Sequence, residues 1–554
     1  MKPFFLFLFC LSLAFANTKS ASKIQKSTNQ TLTLNYLKQQ PSGISRDFYI
    51  WLFLQQDISP QDAKEAYALA MYKNPKLFSL YFQKGGNQAL SRQTICQRMP
   101  LEKLLKEDAK CIAFALTTKN AESLDKSKLE KLSQAIKPHN ITLSNNLKIL
   151  SSATPFKELI NQNAQTFGDF YFAISQNYRY QLNFKLPKET AEELIKERNN
   201  SFNRALRHII LTPSLNALNR SFVMVAPQTI LKALDEETAF YLGLNAMRHY
   251  KREQALIYFL HSKEIAKSSF NRNRATFWAF LASNNTQYLE TLSHSKAVDI
   301  YTLASLEMLQ AQPKFHIVYD INAQEENANW DFKDPFEWER IRNSFRNLKE
   351  LNEDLAEQLL LQTDNTETQA HYVWLSRDFS KEYFLMPYKE VFSSFSNDKQ
   401  ALLYALARQE SLFIPTAIST SYALGLMQLM PFNVEAIAKE LNQEQEVGYL
   451  DMFDPAINVP YAEYFTRPLI KEFRHPLFVS YAYNGGPGFM RRLLAKNYLF
   501  KKSNPLDPWY SMEMIPYEES RIYGKKVLAN YIIYQKELGT NINILDLLHQ
   551  TLVY

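Results

Sequence analysis

Glycine is scarce in this chain and unevenly spread, which limits how the chain can turn. Twelve of the 554 residues are glycine, and seven of these lie after residue 386. The first two thirds of the chain hold only Gly43, Gly85, Gly86, Gly168 and Gly243. Because glycine is the default residue for backbone with positive φ, this part must turn with Asn, Ser, Lys and Pro, as helical hairpins often do.

Amphipathic segments recur through the glycine-poor part. Apolar residues follow helical spacing in six segments, at residues 60–71 with Ser59 as N-cap, 236–250, 254–266, 275–282, 286–292 and 301–309. A short polar loop separates the two strongest segments, 254–266 and 275–282. No repeat consensus is visible, but this density of helices is typical of an irregular α-solenoid.

The first sixteen residues have the pattern of a secretory signal peptide. Lys2 supplies a positive charge, residues 4–13 are apolar, and Ala14-Phe15-Ala16 matches a small-x-small cleavage site. An uncleaved membrane anchor is the alternative, but the apolar run is short for a spanning helix. No later segment offers the roughly 18 consecutive apolar residues of a transmembrane helix. We expect cleavage after Ala16, export, and no transmembrane segment in the mature protein.

The cysteines fit an oxidising compartment. Cys10 leaves with the signal peptide, so the mature chain keeps Cys96 and Cys111. An even pair of cysteines in an exported protein makes a disulfide plausible, and two buried thiols in helices are the alternative.

Charge and histidine content argue against nucleic-acid and metal binding. The formal net charge of +7 is modest for 554 residues. Charge runs such as residues 102–110 mix both signs and indicate solvated helix faces. The nine histidines are scattered and form no HxxxH pair or Cys-His cluster. We expect no metal site and no nucleic-acid partner.

One acid ends an apolar-faced helix in the last third of the chain. Asn397 with Gln400 resembles a capping box, and Leu403, Leu406 and Glu410 then recur at helical spacing. Glu410 therefore projects from the apolar face. Lost hydration raises the pKa of a carboxyl group there, as a proton donor working near neutral pH requires.

The alternative is a structural glutamate that pairs with a basic residue at the helix end. Against it, no Asp or Glu occurs between Glu410 and Glu435, whereas neutral hydrogen-bonding groups are supplied by Ser411, Ser419, Ser421 and Gln428. The pattern predicts a site built around a single acid.

Two further segments carry specific motifs. Residues 481–488 read YAYNGGPG, a glycine-rich turn where backbone can approach a ligand closely, and residues 513–523 read EMIPYEESRIY. Each is a weak signal alone. In the order ES, GLMQLMP, AYNGGPG and IPYEESRIY, the chain resembles the catalytic domain of the soluble lytic murein transglycosylases, family 1, with a goose-lysozyme-like fold.

The resemblance assigns roles by position. Glu410 matches the family's single catalytic acid, Ser419 a serine near the reacting sugar, and Tyr483 the tyrosine that approaches the substrate N-acetyl group. Glu519 matches the acid of the family's E-T-R motif, with Arg521 and Tyr523 beside it at the site wall. The substrate-binding set implied in this way is Ser419, Gln428, Met430, Tyr483, Asn484 and Glu519.

Four positions depart from the family pattern. Tyr422 stands where Gly is usual, Gly485 where Ala is usual, Ser520 where Thr is usual, and Ala462 where Gly is usual after the segment FDPAINV. Tyr422 is the most consequential of these, because we expect its bulky ring to narrow or reshape the approach to the cleft.

The resemblance also implies an architecture dominated by α-helices. Residues 1–16 are the signal peptide, 17–312 a U-shaped helical superhelix, 313–381 a small helical linker domain, and 382–554 a lysozyme-like α(+β) catalytic domain. The superhelix is either a scaffold or a ring that handles glycan strands or partner proteins, and the sequence leaves both open.

The implied activity is non-hydrolytic cleavage of the bond between N-acetylmuramic acid and N-acetylglucosamine in periplasmic peptidoglycan, with Glu410 as acid and then base. Ordinary glycosidases use two carboxylates. The implied partners are glycan strands and, in some family members, penicillin-binding proteins or other wall synthases; no cofactor is implied. The alternatives are a hydrolytic muramidase of the same fold and a catalytically silent periplasmic solenoid adaptor.

Overall fold

The computed structural model describes residues 32–85, 92–319, 331, 333–346 and 382–552. The predicted signal peptide, residues 1–16, lies outside these ranges, as does most of the predicted linker domain. The chain divides into two compact units. The first unit is Met1–Gly86, Lys296–Glu307 and Gln312–Tyr554, and the second unit is Asn87–Ser295 and Met308–Ala311.

The second unit is helical throughout its described residues, and its helices pack mainly on helices that are near neighbours in the chain. This confirms the predicted α-solenoid packing. The α-helices are Arg92–Arg98, Leu101–Leu104, Ala109–Ala115, Thr118–Ala121, Lys126–Ile136, Ile141–Ser151, Pro155–Ile160, Ala164–Ala173, Gln176–Gln181, Lys188–Lys196, Asn200–Ile210, Asn216–Val223, Pro227–Ile230, Glu236–Arg248, Arg252–Ile265, Ser269–Ser283 and Gln287–Ser293, with a 3-10 turn at Leu231–Ala233.

Polar N-caps start many of these helices, as the shortage of glycine predicts. The side chains of Asp125, Asn163 and Ser268, for example, each accept a hydrogen bond from a backbone N–H of the first turn. One of the rare glycines has a packing reason instead. A Cβ at Gly243 would meet the ring of Phe259 on the next helix, so the two helices approach closely at this point.

The structure joins Cys96 and Cys111 in a disulfide. The bond links the helices Arg92–Arg98 and Ala109–Ala115, and both cysteines are 1% exposed.

The first unit combines the N-terminal and C-terminal helices of the described chain. Its α-helices are Leu34–Gln39, Ile44–Phe53, Pro60–Leu69, Pro75–Gln83, Ile300–Leu309, Pro335–Arg346, Lys389–Phe392, Asn397–Glu410, Pro431–Glu440, Pro455–Phe473, Pro476–Gly485, Pro487–Leu494, Trp509–Glu513, Glu518–Glu537 and Ile544–His549. The last two residues of Ile300–Leu309 are grouped with the second unit. A 3-10 turn lies at Leu450–Phe453, and the strands Ile317–Val318 and Glu382–Tyr383 pair in parallel.

The helix Glu518–Glu537 is central to the first unit. Asn397–Glu410 and Pro476–Gly485 both pack against it, so two segments far apart in sequence meet on one helix. Most of its side chains are buried, including Val527, Leu528 and Ile533. Among the described helices, none is both long and apolar enough to cross a membrane.

The predicted capping box at Asn397 and Gln400 is wrong. Ser396 is the N-cap of this helix and its side chain makes no capping bond. Asn397 Nδ2 instead donates to the carbonyl of Leu538 at 3.1 Å, and Gln400 Nε2 donates to the carbonyl of Phe395 at 2.7 Å. Both amide groups therefore bind backbone carbonyls, Asn397 in a tertiary contact and Gln400 in a local one. Helical spacing alone does not predict these partners.

The N-terminal helices Leu34–Gln39, Ile44–Phe53, Pro60–Leu69 and Pro75–Gln83 belong to the same compact unit as residues 382–552. Ser59 caps one of them as predicted, its hydroxyl oxygen accepting from the N–H of Asp62 at 3.1 Å. The predicted domain boundaries near residues 312 and 381 stay predictions.

Candidate active site

Glu410 is the last residue of the helix Asn397–Glu410, as predicted. The preceding turn, Ala405 to Ala407, is fully buried against the rest of the unit. Ser411 follows as the C-cap, and its hydroxyl donates to the carbonyl of Leu426 at 2.7 Å. The residue after the acid thus ties the helix end to the turn that begins at Gly425.

The Glu410 carboxyl group has one hydrogen-bond partner and lacks a cation among the described residues. Tyr523 donates its hydroxyl to Glu410 Oε1 at 2.7 Å. Desolvation by the surrounding protein raises the pKa of Glu410 to about 7; the hydrogen bond from Tyr523 opposes this rise and the negative charge of Glu519 adds to it. Part of Glu410 remains accessible, so a half-protonated acid is available to a ligand at neutral pH.

Two phenols belong to the surroundings of this acid. Burial, and next the negative charge of Glu410, raise the pKa of both Tyr483 and Tyr523 well above its ordinary value. Both side chains therefore stay protonated donors at any pH at which the protein works. Tyr483 uses its proton in a bond to the carbonyl of Met427 at 2.7 Å.

The turn Gly425 to Gln428 is built by the neighbouring helix. Gly425 has a φ of 76°, and a Cβ there would collide with the carbonyl of Met452 and the side chain of Asn458, so only glycine fits. Asn458 is fully buried; its Oδ1 accepts from the N–H of Met427 at 2.8 Å and its Nδ2 donates to the carbonyl of Leu424 at 3.2 Å. Together with Tyr483, Asn458 fixes Met427 on both sides.

The predicted glycan-contacting residues Ser419 and Gln428 hold their own loops. Ser419 Oγ accepts from the N–H of Ala423 at 2.9 Å and of Ser421 at 3.3 Å, which leaves its hydroxyl proton available to a further acceptor. Gln428 Nε2 donates to the carbonyls of Ala417 and Gly425, both at 2.9 Å. Both side chains are partly exposed.

The remaining predicted site residues lie at helix ends. Met430 is the N-cap residue of Pro431–Glu440, and Asn484 lies in the last turn of Pro476–Gly485. Asn484 Oδ1 accepts from the hydroxyl of Ser520 at 2.7 Å. Glu519 is exposed in the first turn of Glu518–Glu537, and its negative charge raises the pKa of Glu410.

The Tyr422 ring is buried, so the expectation that it narrows the approach to the cleft is wrong, whereas an effect on the shape of that approach stays a prediction. The ring is 1% exposed and packs on Phe48 and Trp51 of the N-terminal helix Ile44–Phe53. The φ of Tyr422 is 64°, a conformation that glycine adopts without strain and tyrosine does not. In this chain a buried ring contact offsets the strain.

Sequence reasoning missed two groups of site-forming residues. Asn458 lies within the segment FDPAINV, so its position beside the other motifs was a usable signal. The N-terminal residues that pack on Tyr422 gave none, because nothing in the pattern of residues 44–78 marks them as neighbours of residues 419–423.

Comparisons with known proteins agree on the C-terminal part. Residues 392–505 match the family model described as the transglycosylase SLT domain. The soluble lytic murein transglycosylases of Salmonella typhimurium and Escherichia coli K12 are each 30% identical over 166 residues, which is 29% of this chain and 25% of theirs. The chain therefore matches about a quarter of the length of these curated relatives.

The likeness in fold extends further than the likeness in sequence. A crystal structure of the lytic transglycosylase Slt from Pseudomonas aeruginosa, an inactive mutant, covers 92% of this chain and 84% of its own, with a TM-score of 0.50 and 16% identity. At that identity the match establishes the fold alone, and it confirms the predicted fold class.

Glu410, Ser419, Gln428 and Tyr483 all lie inside the matched segment 392–505. Residues 392–505 are therefore similar to the transglycosylase SLT domain.

Proposed function

We propose that the protein is a lytic transglycosylase that cleaves the β-1,4 bond between N-acetylmuramic acid and N-acetylglucosamine in peptidoglycan and leaves a 1,6-anhydromuramyl end. The observation that carries this proposal is Glu410, a partly exposed carboxyl group with a pKa near 7 and no cationic partner among the described residues. Such a group can give a proton and take one back at the same pH.

In the first step Glu410 donates its proton to the oxygen that links the two sugars. The bond from that oxygen to C1 of the muramyl residue breaks, and N-acetylglucosamine leaves with a free hydroxyl group. The positive charge that develops at C1 is stabilised by the carbonyl oxygen of the substrate's own N-acetyl group, so no protein nucleophile is needed. Glu410 is now a carboxylate, held by the hydrogen bond from Tyr523.

In the second step the muramyl C6 hydroxyl oxygen bonds to C1 while the Glu410 carboxylate takes the hydroxyl proton. The ring closes, Glu410 is protonated again, and no water has been consumed. The low-dielectric surroundings that raise the pKa of Glu410 also strengthen this carboxylate as a base.

The hydroxyl oxygen of Tyr483 is suited to bind the N-acetyl group of the substrate. Its hydroxyl proton is committed to Met427, so the oxygen's lone pairs are what a ligand can use. We assign them to the N–H of the substrate acetamido group, which would orient the acetamido carbonyl toward C1. Ser419 contributes the opposite polarity, a hydroxyl proton that can be donated to a sugar oxygen.

The proposal places the protein in the periplasm, since peptidoglycan lies there and the first sixteen residues match a signal peptide. Glycan strands are the proposed binding partner of the C-terminal part. The helical second unit is proposed either to support that part or to handle strands and wall synthases such as penicillin-binding proteins.

Mass spectrometry of digested peptidoglycan tests the proposal. The full chain should release muropeptides that are one water lighter than those with a reducing end, and Glu410→Gln should release none while still binding the glycan. Products with reducing ends would establish a hydrolytic muramidase instead. Absence of any product from correctly folded protein would favour the silent adaptor.

A further inference from the structure

The loop of residues 419–423 carries Ser419 and lies outside the helices of the first unit. Within the loop, the N–H of Ser419 donates to the carbonyl of Ala423 at 3.1 Å, and the N–H of Tyr422 donates to the carbonyl of Ser419 at 2.9 Å. We call residues 419–423 the serine loop. These bonds, with those that Ser419 Oγ accepts, close the loop on itself, and its position relative to the rest of the unit depends on contacts with other segments.

Two side chains from the N-terminal helices bind the backbone of the serine loop. Asn74 Nδ2 donates to the carbonyl of Thr420 at 3.1 Å, and Lys76 Nζ donates to the carbonyl of Ser421 at 3.0 Å. These are successive carbonyls directly after Ser419. Side-chain bonds to consecutive backbone oxygens fix the path of the loop without touching the Ser419 hydroxyl.

Tyr422 makes the third and largest attachment. Its ring centroid lies 5.6 Å from that of Phe48 and 5.5 Å from that of Trp51, and its hydroxyl donates to the carbonyl of Asp47 at 3.3 Å. A tyrosine at positive φ is strained, so the contacts of the ring must hold the backbone in this conformation.

Asp47 links these attachments to one another. Its carboxylate accepts from the backbone N–H of Met71 at 2.8 Å and of Tyr72 at 2.6 Å, just before Asn74. The helix that packs on Tyr422 and the segment that binds Thr420 and Ser421 are thereby joined into one support.

The same support reaches the second loop of the site. Trp51 packs on Tyr449, the N-cap residue of the 3-10 turn Leu450–Phe453, and Phe48 packs on Phe453, the last residue of that turn. The carbonyl of Met452 in that turn abuts Gly425. The N-terminal helices therefore contact both the serine loop and the element that shapes the Gly425 turn.

We propose that the N-terminal helices Ile44–Phe53 and Pro75–Gln83 are part of the glycan-binding site, and that Tyr422 is the positioning residue through which they hold Ser419. These helices lie far outside the matched segment 392–505. The inference rests on the proposed function, since it assigns Ser419 to the glycan. It predicts that damage to the support weakens substrate binding and leaves proton transfer by Glu410 intact.

Three variants test separately the ring of Tyr422, the hydroxyl group of Tyr422, and the bond from Asn74 to the loop backbone. Tyr422→Gly removes the ring at a position whose backbone suits glycine, so the chain should still fold. Tyr422→Phe keeps the ring and loses the hydroxyl group with its bonds to the carbonyl of Asp47 and to the Asn74 side chain. Asn74→Ser keeps an N-cap acceptor for the N–H of Leu77 and loses the amide donor to Thr420. Lys73→Met, which removes a nearby cation that lies over the Tyr67 ring, is the matched control.

The measurements are turnover of uncrosslinked glycan strands by the full chain and hydrogen exchange of the peptide that covers residues 417–425. Tyr422→Gly should raise KM roughly threefold to tenfold, with kcat changed less than about twofold and the alkaline limb of the pH profile unmoved. Exchange at Tyr422 and Ala423 should become faster. Asn74→Ser and Tyr422→Phe should each show a smaller rise in KM, and Lys73→Met should stay near wild type.

Two results would overturn the inference. One is a Tyr422→Gly protein with normal KM, and the other is a loss of kcat at unchanged KM, which indicates fewer folded molecules. Failure of the proposed function is distinguishable, because the wild-type chain would then release no anhydromuramyl product at all.

Discussion

Glu410 and Glu513 lie in the same unit, the first partly buried and the second fully buried, and their surroundings differ in kind. Glu513 is 1% exposed; Lys525 Nζ donates to both of its oxygens at 2.8 Å, and the hydroxyl of Tyr301 donates to one of them. Glu410 is partly exposed and accepts from Tyr523 alone, with no cation within ion-pair distance among the described residues.

One helix supplies the partner of each acid. Tyr523 and Lys525 are two residues apart on Glu518–Glu537, so at 100° per residue they point to nearly opposite sides of it. On one side a cation compensates a buried carboxylate. On the other side the partner is a neutral phenol, which does not compensate the charge of a carboxylate. Burial therefore raises the pKa of Glu410. Burial of an acid is therefore not by itself a sign of chemistry; the charge of its partner decides.

Removal of the cation should give the largest effect on stability. Lys525→Met leaves Glu513 charged, fully buried and without its cation, and we expect it to lower the free energy of unfolding by about 3–5 kcal/mol at pH 7. Urea unfolding of the full chain measures this.

The double variant Lys525→Met with Glu513→Leu is the control for that prediction. It removes both charges, so it should recover most of the lost stability. If the single variant were as stable as wild type, Glu513 would be able to stay neutral or find another donor, and the contrast with Glu410 would disappear.

The sequence could predict the acid but not this contrast. Glu410 was identified by helical spacing and by the motifs after it, since chemistry of this kind depends on residue types at short separations. Tyr523, the partner of Glu410, is 113 residues away from it, and Tyr301, which donates to Glu513 beside Lys525, is 212 residues away. Likewise Tyr422 contacts Asp47 across 375 residues. Contacts at such separations depend on the packing of whole helices, which periodicity within one helix does not specify.

Glu410→Gln should stabilise the protein at alkaline pH, the opposite of the Lys525 result. The folded pKa of Glu410 is about 7 and its ordinary value is 4.5, so the unfolded chain ionises this group first. The wild type therefore loses stability as the pH rises from 4.5 to 7, and the loss persists at higher pH. A neutral Gln has no such cost. We expect a gain of about 1–3 kcal/mol at pH 9, allowing for the partial exposure of the carboxyl group.

The sign of that gain depends on pH in a way that can be checked. Below pH 4.5 the carboxyl group is protonated in both folded and unfolded chains, so the two proteins should be equally stable there. Urea unfolding at pH 4, 6, 7.5 and 9 should show the difference opening between the two pKa values. A constant difference at all four pH values would instead reflect a change in packing or hydrogen bonding.

The smallest expected effect is a pair of opposite shifts in the alkaline limb of activity, since turnover needs a protonated Glu410. Glu519→Gln removes a negative charge that raises the pKa of Glu410, so the limb should move to lower pH, by roughly a few tenths of a unit at low salt and less at high salt. Tyr523→Phe removes the hydrogen bond that lowers the same pKa, so its limb should move to higher pH. The pH profiles of kcat/KM for both variants, measured in the same buffers, test this prediction. Shifts in the same direction would show that Glu519 and Tyr523 do not set the pKa of Glu410. The difference between Glu410 and Glu513 would then have another cause.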